Sequence, residues 1–423
     1  MSTWSRILGS TSLNLAGYIY LLIASLISVP WLAHGLGETR FAAYLLFAAL
    51  PPALSILDFG FTQAVIRELS RSQGRGIRQT RSTSYAFFLG TAPLVGLITA
   101  ILAFAVGHTT VGASGYSLGL LFCLVVSVMA NHVLNHFLAL TQVELRYGVY
   151  NVKTWLVGTT NTLGAGLVAL VSGDFLLIFV LLTASYLLTL FIVAYSLDRG
   201  RYALERPLFD KVTFRGLIRY GLQNFLGTVA GQLEFQGGKY VLSALPPLTV
   251  NAFTLPQNII YKLSGALTTG SLVLFPLSGQ MSDPSRRPEL RRLYYHVQGL
   301  VLIASLAFVA LVAIWGQALL TLWLGAGSLA TAAYPPLRLL SYFFVLMSLT
   351  PVASVVVNAL GYPIYTSLSA VATAALNTLL LFIFTPTQGA YGAALAILVS
   401  SAVTTPLFLY VTERVLQENK LQY

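Results

Sequence analysis

The chain has 423 residues, of which 56% are hydrophobic and 9% charged, with a net charge of +11 and a mean hydropathy of +0.77. A soluble domain carries about a quarter of its residues charged, so this composition excludes a soluble globular protein and places the chain in a lipid bilayer. Basic loops in such a protein are accounted for by topology and anionic headgroups, so the positive charge does not call for a nucleic acid.

A hydrocarbon core of roughly 30 Å takes about 20 apolar residues per helix. Twelve such runs follow one another, at about 10–34, 42–66, 84–107, 117–141, 153–172, 175–197, 217–244, 251–278, 293–316, 337–360, 366–385 and 388–411. They are long and continuously apolar, not ten-residue alternations, so they read as helices and not as barrel strands. The expected fold class is an all-α integral membrane protein of about 12 transmembrane helices. A single cysteine, Cys123, excludes an intrachain disulfide.

The first run follows Arg6 alone and exceeds the apolar core of a cleavable signal, so it reads as a retained span with no targeting peptide. It aligns Asn14, Tyr18, Ser25 and Ser28 on one face, and the second run aligns Ser55, Asp58 and Thr62. The fourth carries Asn131, His132, Asn135 and His136 in its inner half. Histidines at i, i+4 suit a metal, but no Glu adjoins the first and no third ligand is evident, so no metal is expected. Interhelical hydrogen bonding is one remaining reading of these residues. Protonation is another, since His132 and Asp58 fall at similar depths, about 22 and 24 Å from the outer face.

The charged connection from about Leu197 to Gly216 parts six runs from six. The expected division is an N-terminal six-helix lobe at 1–198, a cytoplasmic linker at 199–216 and a C-terminal lobe at 217–423. A weak echo of duplication agrees with it: Leu36 and Ala43-Tyr44 stand 209 residues before Leu245 and Ala252-Phe253.

The seventh run holds Gln223 and Glu234 on one side, with Gln232, Gln236, Lys239 and Ser243 beside them. Its Gly237-Gly238-Lys239-Tyr240 resembles the end of a phosphate-binding loop but lacks the earlier Gly, the Ser or Thr and the preceding strand. In the eighth run Asn251, Thr254, Asn258, Lys262 and Thr269 fall within roughly an 80° arc. Small polar residues can serve to pack helices; a Glu and two Lys cannot be explained that way. Glu234 and Lys262 lie about 15 and 16 Å deep, matched for an ion pair across the two helices. Lys239, about 7–8 Å deep, either snorkels to water or faces a hydrated cavity as an anion contact. After the ninth run, the apolar ALLTLWLGAG within about 316–336 is expected to rest on the membrane surface, and its Gly325 to Ala330 matches a dinucleotide fingerprint by letters alone.

Twenty of the 24 Lys and Arg fall on one side of these spans when the N-terminus is inside, against Arg40 and Arg338 outside. Both termini are therefore expected in the cytoplasm.

Three stretches carry a family resemblance: LNLAGYIYLLIASLISVPWLAHGLGETRFAAY from Leu13, LDFGFTQAVIRELSR from Leu57, and NAFTLPQNIIYKLSGALTTGSLVLFPLSGQM from Asn251. With a Gly-bearing turn after span one, an LDxG late in span two and a proline break closing span eight, the chain resembles polysaccharide or O-antigen flippases of the multidrug/oligosaccharidyl-lipid/polysaccharide exporter superfamily. It departs in having Ala43 where the family often has Gly. The resemblance implies two six-helix lobes around a central V-shaped cavity lined by spans one, two, seven and eight, the helices that the polar stripes single out. It implies as substrate an oligosaccharide on a polyisoprenyl diphosphate, moved from the cytoplasmic to the outer leaflet of the cytoplasmic (inner) membrane for cell-surface polysaccharide assembly, with no catalysis and no cofactor.

Such a substrate needs cations for its phosphates and hydrogen-bonding groups for its sugars. The candidates are Lys239, Lys262, Glu234, Asn258, Asn251, Gln236, Asn14, Tyr18 and Arg40 for binding, with Asp58 and His132 for coupling to protons or sodium. Membrane lipids, a glycan polymerase and assembly proteins complete the expected partners. Two other classes stay open, an ion-coupled drug or small-molecule exporter of the same superfamily and a polytopic glycosyltransferase or polymerase. The first usually has an acidic residue in span one, and the second needs a sizeable outer loop; this chain shows neither. Cysteine labelling should find the loops near Arg75, Arg206 and Arg287 protected from an outside reagent and those near Thr110, Pro247 and Ser328 reactive. Labelling of the Arg206 loop from outside would refute the two-lobe topology.

Overall fold

The computed structural model describes residues 3–71, 75–110, 117–144, 146–197, 206–271, 274, 278, 281 and 284–417, and gives the backbone alone for 3–16, 18, 71, 75, 108–110, 223, 224, 269 and 284. Among the described residues there is no strand. Hydrocarbon offers the backbone no water, so runs this apolar fold as helices that close their hydrogen bonds internally. In chain order they are α1 (Thr3–Ala48), α2 (Leu50–Ala53), a 3-10 turn (Leu54–Asp58), α3 (Phe61–Arg71), α4 (Arg75–Thr110), α5 (Leu118–Val143), α6 (Tyr147–Tyr150), α7 (Val152–Thr159), a π turn (Thr160–Gly164) and α8 (Ala165–Val171). There follow α9 (Phe175–Ser196), α10 (Lys211–Leu242), α11 (Pro247–Ser271), a 3-10 turn (Pro284–Arg286), α12 (Arg287–Leu324), α13 (Ser328–Ala359) and α14 (Pro363–Gln417).

Eight stretches among the described residues are long and apolar enough to cross a membrane. Two of them, Ile19–Asp58 and Pro363–Gln417, break inside at Gly37 (φ 70) and Gly389 (φ 55), so each holds two spans end to end. α10 and α11 have the length, 32 and 25 residues, but not the apolarity. Their deficit is the polar set around Glu234, Lys239, Asn258 and Lys262. Counted in this way, the helices accommodate the twelve expected spans.

One expectation is corrected. Residues 316–324 do not rest on a surface but complete the 38-residue α12, and Ser328 already opens α13, so only Gly325 to Gly327 connect them. The apolar residues past 316 simply prolong the helix, and Gly325 at φ 86 ends it. Helix starts follow local chemistry. Ser117 Oγ accepts from Leu120 N–H at 3.1 Å, Asp174 Oδ1 from Leu177 N–H at 3.1 Å and Asp210 Oδ2 from Thr213 N–H at 2.7 Å. The last bond holds the Asp210 carboxyl below the usual carboxylate range.

The chain packs as two compact units, one of Ile23–Gln232 and one of Met1–Leu22 with Leu233–Tyr423. The divisions fall within α1 and α10, not in the 199–216 connection. The reason lies in the first turns of α10: Leu217 joins the core of Phe61, Val65, Phe87, Leu134 and Val193, and the Arg67 guanidinium lies 4.0 Å from the Tyr220 ring centroid. The other unit has its own core, in which Leu290 and Tyr294 of α12 meet Val352 and Val356 of α13 and Phe408 and Val415 of α14. Outward-facing rows are apolar too. Leu94, Leu97, Ile101 and Phe104 on α4 are each more than half exposed, at the spacing of one helix face turned to lipid.

Lipid is as apolar as leucine, so helices associate through close packing and small residues. In the first unit Gly35 of α1 meets α8 so closely that a Cβ would lie 2.1 Å from the Ala169 carbonyl oxygen, and a Cβ on Gly166 would lie 2.9 Å from that of Ser28. Replacing Gly35 with Ala is expected to cost about 1–3 kcal/mol through overpacking. Gly90, exposed on α4 with nothing within 4 Å of its Cβ position, should tolerate Ala or gain up to about 1 kcal/mol. Thermal unfolding of the two variants in detergent checks this, and equal effects would contradict the packing.

Candidate functional site

The polar residues of α10 and α11 form a cluster inside the second unit. Lys239 is only 3% exposed. Its Nζ donates to Gln236 Oε1 at 3.1 Å, one turn back on α10, and to Asn258 Oδ1 at 3.1 Å on α11, and it lies 3.8 Å from the Phe235 ring centroid. Two amide oxygens and a ring face solvate the ammonium without neutralising it. No carboxylate reaches it within ion-pair distance among the described residues. The close approach of the helices depends on Gly238, where a Cβ would lie 2.8 Å from the Phe253 ring.

Glu234 does not pair with Lys262. Its Oε1 accepts from the Tyr261 hydroxyl at 3.3 Å, and among the described residues no ion pair joins it to Lys262. Tyr261 and Lys262 are successive residues, about 100° apart around α11, and Phe235 and Phe343 hold the Tyr261 ring, with centroids 4.6 and 6.0 Å away, on the side facing Glu234. The carboxylate also borders a cavity of about 170 Å³ lined by Thr350 and Ser354 of α13 and Thr366, Ser369, Thr373, Ser401 and Thr405 of α14. Single hydroxyls scattered along apolar helices gave no signal of this convergence; the one clue was that serines and threonines recur at helical spacing in 366–373.

Other sequence candidates divide between the units. Asn251 and Gln236 are buried, on α11 and α10. Arg40 is exposed, one turn beyond the break at Gly37. The side chains of Asn14, Tyr18, Gln223 and Thr269 lie outside the described residues. The sequence reading missed Gln257 and Asn377. Gln257 is wholly buried and its Nε2 donates to the Phe235 carbonyl at 3.1 Å. Asn377 of α14 is also fully buried, and neither of its amide atoms has a hydrogen-bond partner among the described residues. A buried amide in hydrocarbon requires partners, so this position suits a polar guest.

Asp58 and His132 are not brought together. Asp58 closes the 3-10 turn as a local brace: Oδ1 accepts from Gly60 N–H at 2.8 Å and Oδ2 from the Thr62 hydroxyl at 2.6 Å. These bonds support left-handed backbone at Phe59 (φ 51) and Gly60 (φ 72), which ends one helix and starts α3. The LDFG signal is thus a helix break, and Gly60 is needed for a second reason, since a Cβ there would lie 2.2 Å from the Gly221 carbonyl oxygen of α10. His132 instead bonds across to α4. Thr91 gives its single hydroxyl proton to the Phe87 carbonyl at 2.7 Å and so accepts from His132 Nε2 at 2.8 Å. His136 Nδ1 and Ser84 Oγ lie 2.9 Å apart. The two histidines face different hydroxyls, which is the interhelical hydrogen-bonding arrangement.

Pro30, Pro256 and Pro351 lie inside helices and Pro51 and Pro52 open α2, while Pro276 falls outside the described residues.

A double-mutant cycle separates the two partners of Glu234. Glu234→Gln with Tyr261→Phe should show coupling of about 1 kcal/mol in thermal stability, and Glu234→Gln with Lys262→Gln should be additive. Coupling to Lys262 alone would contradict the geometry.

The sequence matches the family described as "Polysaccharide biosynthesis protein" over residues 7–282, more than half of the chain. It is 21% identical over 398 residues to a Shigella flexneri protein named as an O-antigen transporter, covering 90% of this chain and 92% of that one. Among solved structures it is similar to the inward closed lipid II flippase MurJ, with a TM-score of 0.70 and 13% identity, over 94% of this chain and 87% of the other. It is likewise similar to an inward-facing multidrug resistance MATE family transporter of the MOP superfamily, with a TM-score of 0.68 and 14% identity, over 93% and 94%. Likeness at this level of identity extends to the fold over nearly the whole of each chain.

Proposed function

The chain belongs to the polysaccharide biosynthesis protein family, and from that premise we propose that it is a transporter of the MOP superfamily, an alternating-access flippase for a polyisoprenyl-diphosphate-linked oligosaccharide. It carries the glycan from the cytoplasmic to the outer leaflet for cell-surface polysaccharide assembly, and does no covalent chemistry. The observation that supports this most is Lys239, a buried ammonium held by neutral acceptors on a helix pair rich in amides. A lipid-linked diphosphate cannot take its charge through hydrocarbon, and a cation kept free of carboxylates is what the phosphates need. Gln236 and Asn258 hold the ammonium in place and can turn to sugar hydroxyls when phosphate replaces them. Lys262, Asn251 and Asn258 continue the same face of α11, with Arg40, Asn14 and Tyr18 as further contacts. A cationic drug is disfavoured by the same two lysines.

Coupling is better carried by Glu234 than by Asp58 or His132. Asp58 is occupied as a brace of its own turn and His132 by Thr91, whereas Glu234 borders a hydroxyl-lined cavity. One carboxylate among hydroxyl oxygens suits a hard cation such as sodium, or a proton shared with Tyr261. In this proposal the lobes at 1–198 and 217–423, joined by 199–216, are the moving bodies, with the first turns of α10 staying packed on the N-terminal core.

Replacing both Lys239 and Lys262 with Gln should abolish surface glycan while protein abundance is kept, with lipid-linked oligosaccharide accumulating on the cytoplasmic leaflet. The corresponding Arg variants should retain part of the activity, because the charge survives and the geometry changes. Full export by the double Gln variant would overturn the lysine role. Failure of the purified wild type to move a polyisoprenyl-diphosphate sugar across liposomes, with a proton or sodium gradient imposed, would overturn the flippase reading.

A further inference from the structure

At the basic end of α12, away from the Lys239 cluster, lies a cavity of about 600 Å³ lined by Arg287, Pro288, Arg291, Arg292, Tyr295, Leu416 and Gln417. Its far wall is the last turn of α14, organised by one carboxylate. Glu413 accepts from the Tyr295 hydroxyl at 2.6 Å, from Gln417 Nε2 at 2.6 Å and from Arg291. Arg287 is buried and donates to the Val415 carbonyl at 2.8 Å, which ties the start of α12 to the same turn. The carboxylate therefore fixes the walls. Arg292 is exposed and makes no ion pair among the described residues, and with Arg287 and Arg291 it gives the cavity three guanidinium groups in its lining.

The surroundings identify the anion. At 100° per residue, Arg291, Arg292, Tyr295, Gly299, Leu302 and Leu306 fall within about a 100° arc of α12. Tyr295, Leu302 and Leu306 are exposed, by 50%, 37% and 51%. Arginines, then a tyrosine, then a lipid-facing apolar row over about 20 Å of helix match a headgroup phosphate, the glycerol level and an acyl chain in turn. A soluble phosphate would use the first and leave the row unexplained.

We propose that this cavity is a binding site for an anionic glycerophospholipid, whose phosphate sits among Arg287, Arg291 and Arg292 and whose acyl chain lies along Tyr295, Leu302 and Leu306. The site is independent of the transported substrate. It anchors α12 to α14 at the membrane surface through the lipid, which fastens the end of the second unit where the bilayer meets water.

Native mass spectrometry of the full chain, released from mixed phosphatidylglycerol and phosphatidylcholine nanodiscs, tests this by counting retained lipids. The wild type should retain phosphatidylglycerol over phosphatidylcholine. Arg292→Gln, which breaks no ion pair among the described residues, should lower phosphatidylglycerol retention about fivefold, the weight of one arginine near an anionic surface, and leave phosphatidylcholine unchanged. Arg292→Lys should restore most of it, which a merely misfolded variant could not do. Leu302→Ser with Leu306→Ser should also lower retention, because the acyl row is lost. Equal retention of the two lipids by the wild type would overturn the proposal. So would full retention by Arg292→Gln, or displacement of the bound lipid by millimolar inorganic phosphate with no effect of the serine changes, which would assign the arginines to a free anion.

Discussion

A polar group within hydrocarbon has no water to return to, so every one carried by this chain must be answered by another part of the protein. That constraint orders the molecule more than any apolar contact does. Hydroxyls in the helices turn back to carbonyls three or four residues earlier, as Thr99 does to Val95 and Thr412 to Phe408, each buried. Histidines find hydroxyls on the next helix. Asp58 spends its carboxylate on its own turn. Three residues of the second unit stand out after this accounting: a lysine answered by neutral oxygens, a glutamate beside a cavity, and an asparagine with no hydrogen-bond partner among the described residues.

Helical character and the number of spans were legible because twenty-residue apolar runs have one solution in lipid. The caps at Ser117, Asp174 and Asp210 are as local, each reaching three residues ahead, although the sequence reading did not single them out. The polar face of α11 was legible as well, since a period of 3.6 is visible in Asn251, Asn258 and Lys262 without any knowledge of neighbours. What was not legible depends on which face of a helix meets which neighbour. Depth arithmetic placed Glu234 and Lys262 at the same level, but depth does not fix rotation, and a turn of 100° gave the carboxylate to Tyr261 instead. The hydroxyl cavity was hidden for a related reason. Its residues come from α13 and both halves of α14, and each alone looks like a packing serine or threonine. The 316–336 segment misled because an apolar stretch past the expected end of a span looks the same whether it lies on a surface or extends a helix.

The division of α10 shows how one helix serves two purposes. Its first turns are apolar and aromatic where they enter the core of Phe61, Phe87 and Leu134, and its later turns carry glycines and amides around Lys239. Sequence composition changes along the helix in step with what it touches. A boundary drawn at the charged connection before it therefore follows the loop, whereas the packing follows the side chains.

The contact of Gly60 with Gly221 has a mechanical consequence. Two main chains meet there with no side chain between them, flanked by Phe59 against Phe225, with ring centroids 5.3 Å apart, and by Arg67 over Tyr220. Interlocked side chains resist sliding in steps, because each knob must climb out of its hole. A bare backbone seam has no such teeth at that point, so resistance to shear comes from the side chains beside it: Phe59 on Phe225, Arg67 over Tyr220, and Phe214 against Phe61 and Phe87. Hydrogen-bonded turns hold the Gly60 side rigid, and the seam behaves as a plain bearing with a fixed face.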